Sequence, residues 1–254
     1  MDMLVTFLIV CPLAGLAGFV DAIAGGGGLI SLPAFFMAGL PAHTAIATNK
    51  LSSSMGTTLA TVRFAMKGFL KPKLVIGPVA AGLTGSAIGA ALNLLISDDI
   101  LRIIMLIVLP LTAIYLTRPR SMEESPERLP MGRTIAIAVA IALVIGVYDG
   151  FYGPGTGTFL LLLLTGVAKM TLGDAAGTTK AINLSTNLAA LVVFLANGQV
   201  WIALGLAAGA CNMIGNYLGV SLFSAKGTKV VKPLMLCVIG IFLVKTILEV
   251  AGVI

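Results

Sequence analysis

The sequence predicts an all-α polytopic membrane protein made of two inverted-topology repeats, and three observations carry that prediction. The 254 residues are 58% hydrophobic and only 10% charged, with a mean hydropathy of +1.08. A soluble domain carries about 25% charged residues, so this chain cannot coat a globule. Its apolar runs also have the length of roughly 20 residues that a spanning helix needs. Finally, one unusual element occurs twice. Asp21 precedes the run Gly25, Gly26, Gly27 and Gly28, with Lys50 downstream; Asp149 precedes Gly153, Gly155, Thr156 and Gly157, with Lys180 downstream.

Spanning helices are predicted over 3–24, 44–66, 74–97, 100–117, 134–149, 172–196, 200–223 and 230–250. Two further segments, 29–40 and 158–165, would be only about 18 and 12 Å long as helices. Each follows a glycine break. Eight long helices and two short ones divide into a first membrane repeat over 1–117, a cytoplasmic linker over 118–133 and a second repeat over 134–254. The opening run lacks a basic flank and continues into more membrane sequence, so a cleaved signal peptide is not expected.

Loop charge sets the orientation. Lys67, Lys71 and Lys73 follow the third element of the first half, whereas the equivalent loop Asn197-Gly198-Gln199-Val200 is uncharged. The next pair reverses: Ser97-Asp98-Asp99 carries no base, and its equivalent carries Lys226, Lys229 and Lys232. Basic loops remain cytoplasmic, so equivalent loops lie on opposite faces and the halves are inverted. Lys169 and the linker bases Arg118, Arg120, Arg128 and Arg133 then fall inside, and both termini outside. The surplus of bases serves topology rather than nucleic-acid binding. Cys11, Cys211 and Cys237 lie singly in apolar runs, and His43 has no neighbouring ligand. No disulfide, metal or cofactor is expected.

Glycines at 82, 85 and 89 recur as Gly215 and Gly219, with Asn212 in the first place, and read as close helix packing. Trp201 sits at a predicted interface.

Charges inside a bilayer cost about 2.5–3.5 kcal/mol each on insertion scales and mark function by default. A glycine break alone could be a simple flexible joint. Two at matching positions, each between an Asp and a Lys, read as substrate-lining breaks where helix N-termini aim N–H groups at an anion. Lys50 and Lys180, entering from opposite faces, could meet near the midplane around that anion. They could equally be the structural partners of Asp21 and Asp149, which are candidate proton or ion-coupling sites. Polar residues at helical spacing flank the lysines: Asn49, Ser53 and Thr57 in the first half, Thr179, Asn183 and Asn187 in the second. Ser and Thr can instead satisfy their own helix.

Gly173-Asp-Ala-Ala-Gly177-Thr-Thr-Lys180 lacks the register of a phosphate loop, so no nucleotide site follows. Tyr148-Asp149 together with Asp21 suggests an intramembrane aspartyl hydrolase, but the Gly-x-Gly-Asp partner motif of such enzymes is missing.

Gly18-Phe-Val-Asp21-Ala-Ile-Ala-Gly-Gly-Gly-Gly28-Leu-Ile-Ser-Leu-Pro33 with Ala47-Thr-Asn-Lys50, and Gly150-Phe-Tyr-Gly-Pro-Gly-Thr-Gly157 with Gly177-Thr-Thr-Lys180-Ala-Ile-Asn183, resemble the TauE/SafE family of membrane permeases over nearly the whole chain. The resemblance implies an exporter of small sulfur-containing anions (sulfite, sulfoacetate, thiosulfate) across a prokaryotic inner membrane, driven by an ion gradient. The expected partners are that anion, coupling protons or ions, and the lipid bilayer; nucleic acid is not among them, and a homodimer is left open. The reading is a secondary carrier working by alternating access, not an enzyme, with an anion channel as the nearest alternative.

Overall fold

The computed structural model describes residues 2–117 and 129–221. The predicted helix over 230–250, the linker charges from Arg118 to Arg128, and Lys226, Lys229 and Lys232 lie outside the described residues. Within them the chain forms nine α-helices and no strand: α1 (Met3–Ala24), α2 (Gly28–Met37), α3 (Ala42–Met66), α4 (Pro72–Leu94), α5 (Asp98–Thr117), α6 (Met131–Phe151), α7 (Thr156–Gly166), α8 (Leu172–Ala196) and α9 (Ile202–Ser221).

Helix ends differ from expectation for local reasons. The fourth helix starts at Pro72 rather than residue 74, because a proline at the first position gives up only an N–H with no helical partner. The second stops at Met37, short of residue 40, since Gly39 turns to a φ of 78°. The break between α6 and α7 is tighter than the glycine spacing suggests. Gly153 and Gly155 take φ values of 100° and 82°, and α7 resumes at Thr156. Gly25, at φ 74°, ends α1 by donating its N–H to Asp21 O at 2.8 Å.

Five helices, α1, α4, α6, α8 and α9, are long and apolar enough to cross a membrane. Their outer faces carry large exposed hydrophobics, such as Ile76 at 69%, Val144 at 66% and Val192 at 65%, which suit lipid. The 25-residue α3 is also long enough, but it turns Thr48, Asn49, Lys50, Ser52, Ser54 and Thr57 inward. It is a polar helix in the middle of the bundle, shielded by its neighbours.

Each half lends its fourth helix to the other: α9 packs on α1 and α3, and α4 packs on α6 and α8. Gly15 meets Cys211 while Gly219 meets Phe19; Gly205 meets Leu51 while Gly209 meets Met55. Residue numbers climb together, so α1, α3 and α9 run the same way. By the same reading Gly77 against Val139 and Gly89 against Val147 align α4 with α6, and Lys71 beside Asp174 with Ser86 beside Thr186 aligns α8. The two groups are opposed: Lys50, early in α3, meets Asp149, late in α6. Lys180, early in α8, meets Asp21, late in α1. The glycines expected to serve packing do so, since an added Cβ at Gly85, Gly89 or Gly215 would lie 2.3 Å or less from a backbone oxygen of the facing helix.

The bundle's two ends differ in charge. One end joins His43 to Asp98, Thr48 to the Trp201 N–H and Phe7 to the Trp201 ring. The other gathers Arg63, stacked 4.3 Å from the Tyr217 ring, Lys67 on the Val220 carbonyl, and Lys71 on Asp174.

Candidate functional site

Both broken elements deliver their polar groups to the centre of the bundle. α1 ends on Asp21 and Gly25, α3 brings Asn49 and Lys50, α6 ends on Asp149, and α2 and α7 begin at the breaks. Lys50 Nζ lies 2.8 Å from Asp149 Oδ2, with both side chains 3% exposed. The contact is an ion pair, and Oδ2 accepts no hydrogen bond among the described residues. The other carboxylate oxygen, Oδ1, accepts from the Thr156 hydroxyl at 2.7 Å. Lys180 Nζ lies 2.9 Å from Asp21 Oδ2 and also donates to the Asp21 carbonyl. The pairs are therefore crossed, each lysine meeting the aspartate of the other half. Removing one member of such a buried pair costs about 3–5 kcal/mol, because a lone charge is left behind.

A central cavity of about 430 Å³ of atom-free space lies beside the first pair. Its wall includes Asp21, Gly25, Gly27, Gly28, Asn49, Lys50, Ser53, Thr57, Asp149, Gly153, Gly155, Thr156, Gly157, Asn183 and Asn187. All of these stand among the candidates that the sequence marks. The first-turn residues Gly28, Thr156 and Gly157 bring the N-terminal ends of α2 and α7 to the wall, where helix dipoles favour an anion. Gly153 takes a φ of 100° that favours glycine, and a Cβ there would sit a tight 3.1 Å from both Lys50 Nζ and Asp149 Oδ1.

The expectation that Lys50 and Lys180 share one chamber is corrected. Lys180 and Thr179 line a second cavity of about 230 Å³, with Ala22, Ile23, Phe64, Leu161 and Ala176 as its apolar walls. Asp21, Gly25 and Gly157 border both spaces. The partition is a crossing of the two breaks. A Cβ on Gly25 would lie 2.4 Å from Gly157 C, and Thr158 N–H donates to Gly25 O at 3.2 Å. The physical cause is the antiparallel course of α3 and α8: each lysine enters from its own end and is stopped by the aspartate it meets first. Gly26 is buried but lines neither cavity; its carbonyl accepts from Leu29 N–H at 3.1 Å.

Two residues of the central wall lay outside the sequence-derived set, Ser31 and Asn212. Ser31 lies three residues after Gly28, one turn into α2, and helical spacing from the glycine run leads to it; Asn212 reads as packing in the sequence because glycine fills the matching place in the first half. Tyr148, considered only as part of a Tyr-Asp motif, donates its hydroxyl to Pro154 O at 2.6 Å and braces the second break. Among the described residues no three His, Cys, Asp or Glu side chains converge as metal ligands would.

The chain is similar to several proteins named as membrane transporters. One from Sinorhizobium sp., named "Probable membrane transporter protein ORF9", is 35% identical over 92% of this chain and 89% of its own. "Probable membrane transporter protein YfcA" of Escherichia coli (strain K12) is 32% identical over 94% and 88%. A "Probable membrane transporter protein" of Haemophilus influenzae is 32% identical over 86% of each chain. No solved structure matches. The model of the family described as "Sulfite exporter TauE/SafE" matches residues 10–246. With that match across a bundle of membrane-length helices around two buried Lys–Asp pairs, the chain belongs to the TauE/SafE family of membrane transporters.

Proposed function

We propose that the protein is a secondary carrier that exports a small sulfur-containing oxyanion, sulfite or a sulfonate, across a prokaryotic inner membrane by alternating access. The single observation that carries this reading is the buried Lys50–Asp149 pair on the wall of a cavity that the N-termini of two short helices also face. The pair is neutral as it stands. A monoanion that draws Lys50 away leaves Asp149 uncompensated, and a proton taken up by Asp149 restores neutrality. One proton would then leave with each monoanion, the cycle would be electroneutral, and the anion's own outward gradient, not an inward proton gradient, would drive it. Lys180 and Asp21, behind the glycine crossing, hold the closed side and part when the site turns over.

The opposed helix groups and their exchanged fourth helices support an inverted repeat, the architecture in which half-helices bind substrate at the midplane and one bundle rocks against the other. The end bearing Arg63, Lys67 and Lys71 is assigned to the cytoplasm, which puts the N-terminus outside. The hydrolase alternative draws little support from the geometry, since each carboxylate faces an ammonium group and not its counterpart.

Reconstitution into liposomes with sulfite, thiosulfate, sulfoacetate, sulfate, acetate and chloride tests the reading. The expected result is saturable flux of sulfur oxyanions, with counterflow and proton movement. Flux restricted to cations or neutral solutes would overturn it. Absence of counterflow would favour the channel.

A further inference from the structure

The geometry points to Asn212 as a specificity-determining residue of the central cavity: an amide N–H donor, fixed in place, for an oxygen of the bound oxyanion. This inference rests on the anion-transport reading above. Asn212, on α9, is 4% exposed and reaches the same cavity wall as Lys50. Its Nδ2 donates to the Ala14 carbonyl at 3.1 Å, and its Oδ1 accepts from Asn216 Nδ2 at 2.8 Å. Asn216 Nδ2 also donates to the Asn212 backbone carbonyl at 3.2 Å.

Backbone carbonyls only accept, so these two fix which way both amides point. An amide nitrogen carries two hydrogens. Asn216 places both on Asn212, whereas Asn212 uses one on Ala14, and the other has no protein partner among the described residues. Asn212 lines the central cavity, where an acceptor group would complete it.

Two helices give up side chains to seat this unit. A Cβ on Gly56 of α3 would lie 1.8 Å from Asn212 Oδ1, and one on Gly18 of α1 would lie 2.2 Å from Asn212 O. The matching place in the first half, read from the alignment of Gly85 with Gly215 and Gly89 with Gly219, holds Gly82 and Ser86. Neither lines the cavities; Ser86 Oγ donates to Thr186 O at 2.6 Å and closes a helix contact. Packing at this crossing needs no amide, as the first half demonstrates with glycine. The Asn212 amide is an addition on one side only, and it makes the central cavity richer in fixed donors than the repeat itself provides.

The test is transport in proteoliposomes by Asn212→Ala, Asn212→Asp and Asn216→Ala, with sulfite as the varied anion and acetate as competitor. Loss of a hydrogen bond to a charged partner corresponds to about tenfold or more in affinity. Asn212→Ala should therefore raise the sulfite KM about tenfold, keep the maximal rate within about twofold, and shift the sulfite-to-acetate preference toward acetate. Asn216→Ala leaves the Ala14 tether in place and should change KM by no more than about threefold. Where the alanine variant fails to fold, Asn212→Asp keeps the side-chain volume, gives up the bond to the Ala14 carbonyl, and should lose sulfite binding through repulsion. A fall in maximal rate with unchanged KM and preference, or an aspartate variant that binds sulfite normally, assigns Asn212 to packing and overturns the inference. Wild-type protein that moves no anion would instead defeat the transport reading, and this one with it.

Discussion

Lys50 and Asp149 meet at 2.8 Å inside the helix bundle, and Thr156 holds the oxygen that Lys50 leaves free. The lysine comes from the first half and the aspartate from the second, so the contact ties the halves together. Either single neutralisation strands a charge, so Lys50→Met and Asp149→Asn should each destabilise the protein by about 3–5 kcal/mol. The double variant should recover most of that loss and still carry no anion. Thermal unfolding in detergent combined with flux measurements checks both halves of the claim. Additive destabilisation in the double variant would mean that the two side chains are not energetically coupled.

Asp149→Asn also bears on coupling. With Asp149 unable to take up a proton, Lys50 keeps its charge without a competitor. Anion binding should persist, release should slow, and proton flux should no longer accompany the anion. Simultaneous recording of internal pH and anion content in liposomes separates the two fluxes. Undiminished proton coupling would move the proton site elsewhere.

The second lysine occupies the smaller cavity, behind the crossing of Gly25 and Gly157. Lys50→Met should therefore remove both equilibrium binding and flux, whereas Lys180→Met should remove flux and leave binding affinity within about threefold. Isothermal titration with sulfite, on variants of matched folded fraction, makes the comparison. Equal loss of binding in both would place the two ammonium groups around one anion after all.

That division shows where the sequence was sufficient and where it was not. Buried charges in apolar runs, the paired glycine breaks and the helical spacing of Asn49, Ser53, Asn183 and Asn187 are one-dimensional signals, and the cavity wall follows from them. Which lysine meets which aspartate is set by helix direction and rotation in three dimensions. Lys50 and Lys180 occupy equivalent places in the sequence, yet only Lys50 faces the larger space. Asn212 was hidden for a related reason: its spacing matches a packing glycine, and only the approach of Gly18 and Gly56 reveals why an amide fits there.

The glycine crossing itself can be tested by comparing two positions with the same backbone requirement. Gly25 and Gly39 have φ values of 74° and 78°, so an alanine at either incurs left-handed strain of about 1–2 kcal/mol. Only Gly25 has a neighbour to strike, Gly157 C at 2.4 Å; around Gly39 nothing lies within 4 Å. Gly39→Ala should lower the unfolding temperature modestly and retain flux. Gly25→Ala should abolish flux and lose considerably more stability. Equal effects in the two variants would reduce the crossing to an ordinary turn.

The opposed directions of the two helix groups yield a prediction about sidedness. Lys71 contacts Asp174, while His43 contacts Asp98, and these contacts lie at opposite ends of the bundle. In a background lacking Cys11, Cys211 and Cys237, single cysteines at Lys73 and Lys169 should react with an impermeant maleimide only from the cytoplasmic side. Cysteines at Asp99 and Asn197 should react only from outside. Residue 73 is the second of α4 and residue 99 the second of α5, so they mark the two ends of α4; residues 169 and 197 flank α8, and each pair reports one crossing. An inverted repeat requires the α3–α4 loop and its second-half equivalent, the α8–α9 loop at Asn197, to label from opposite faces. Labelling of Lys73 and Asn197 from the same face would make the repeats parallel, and the crossed Lys–Asp pairs would then need a different explanation.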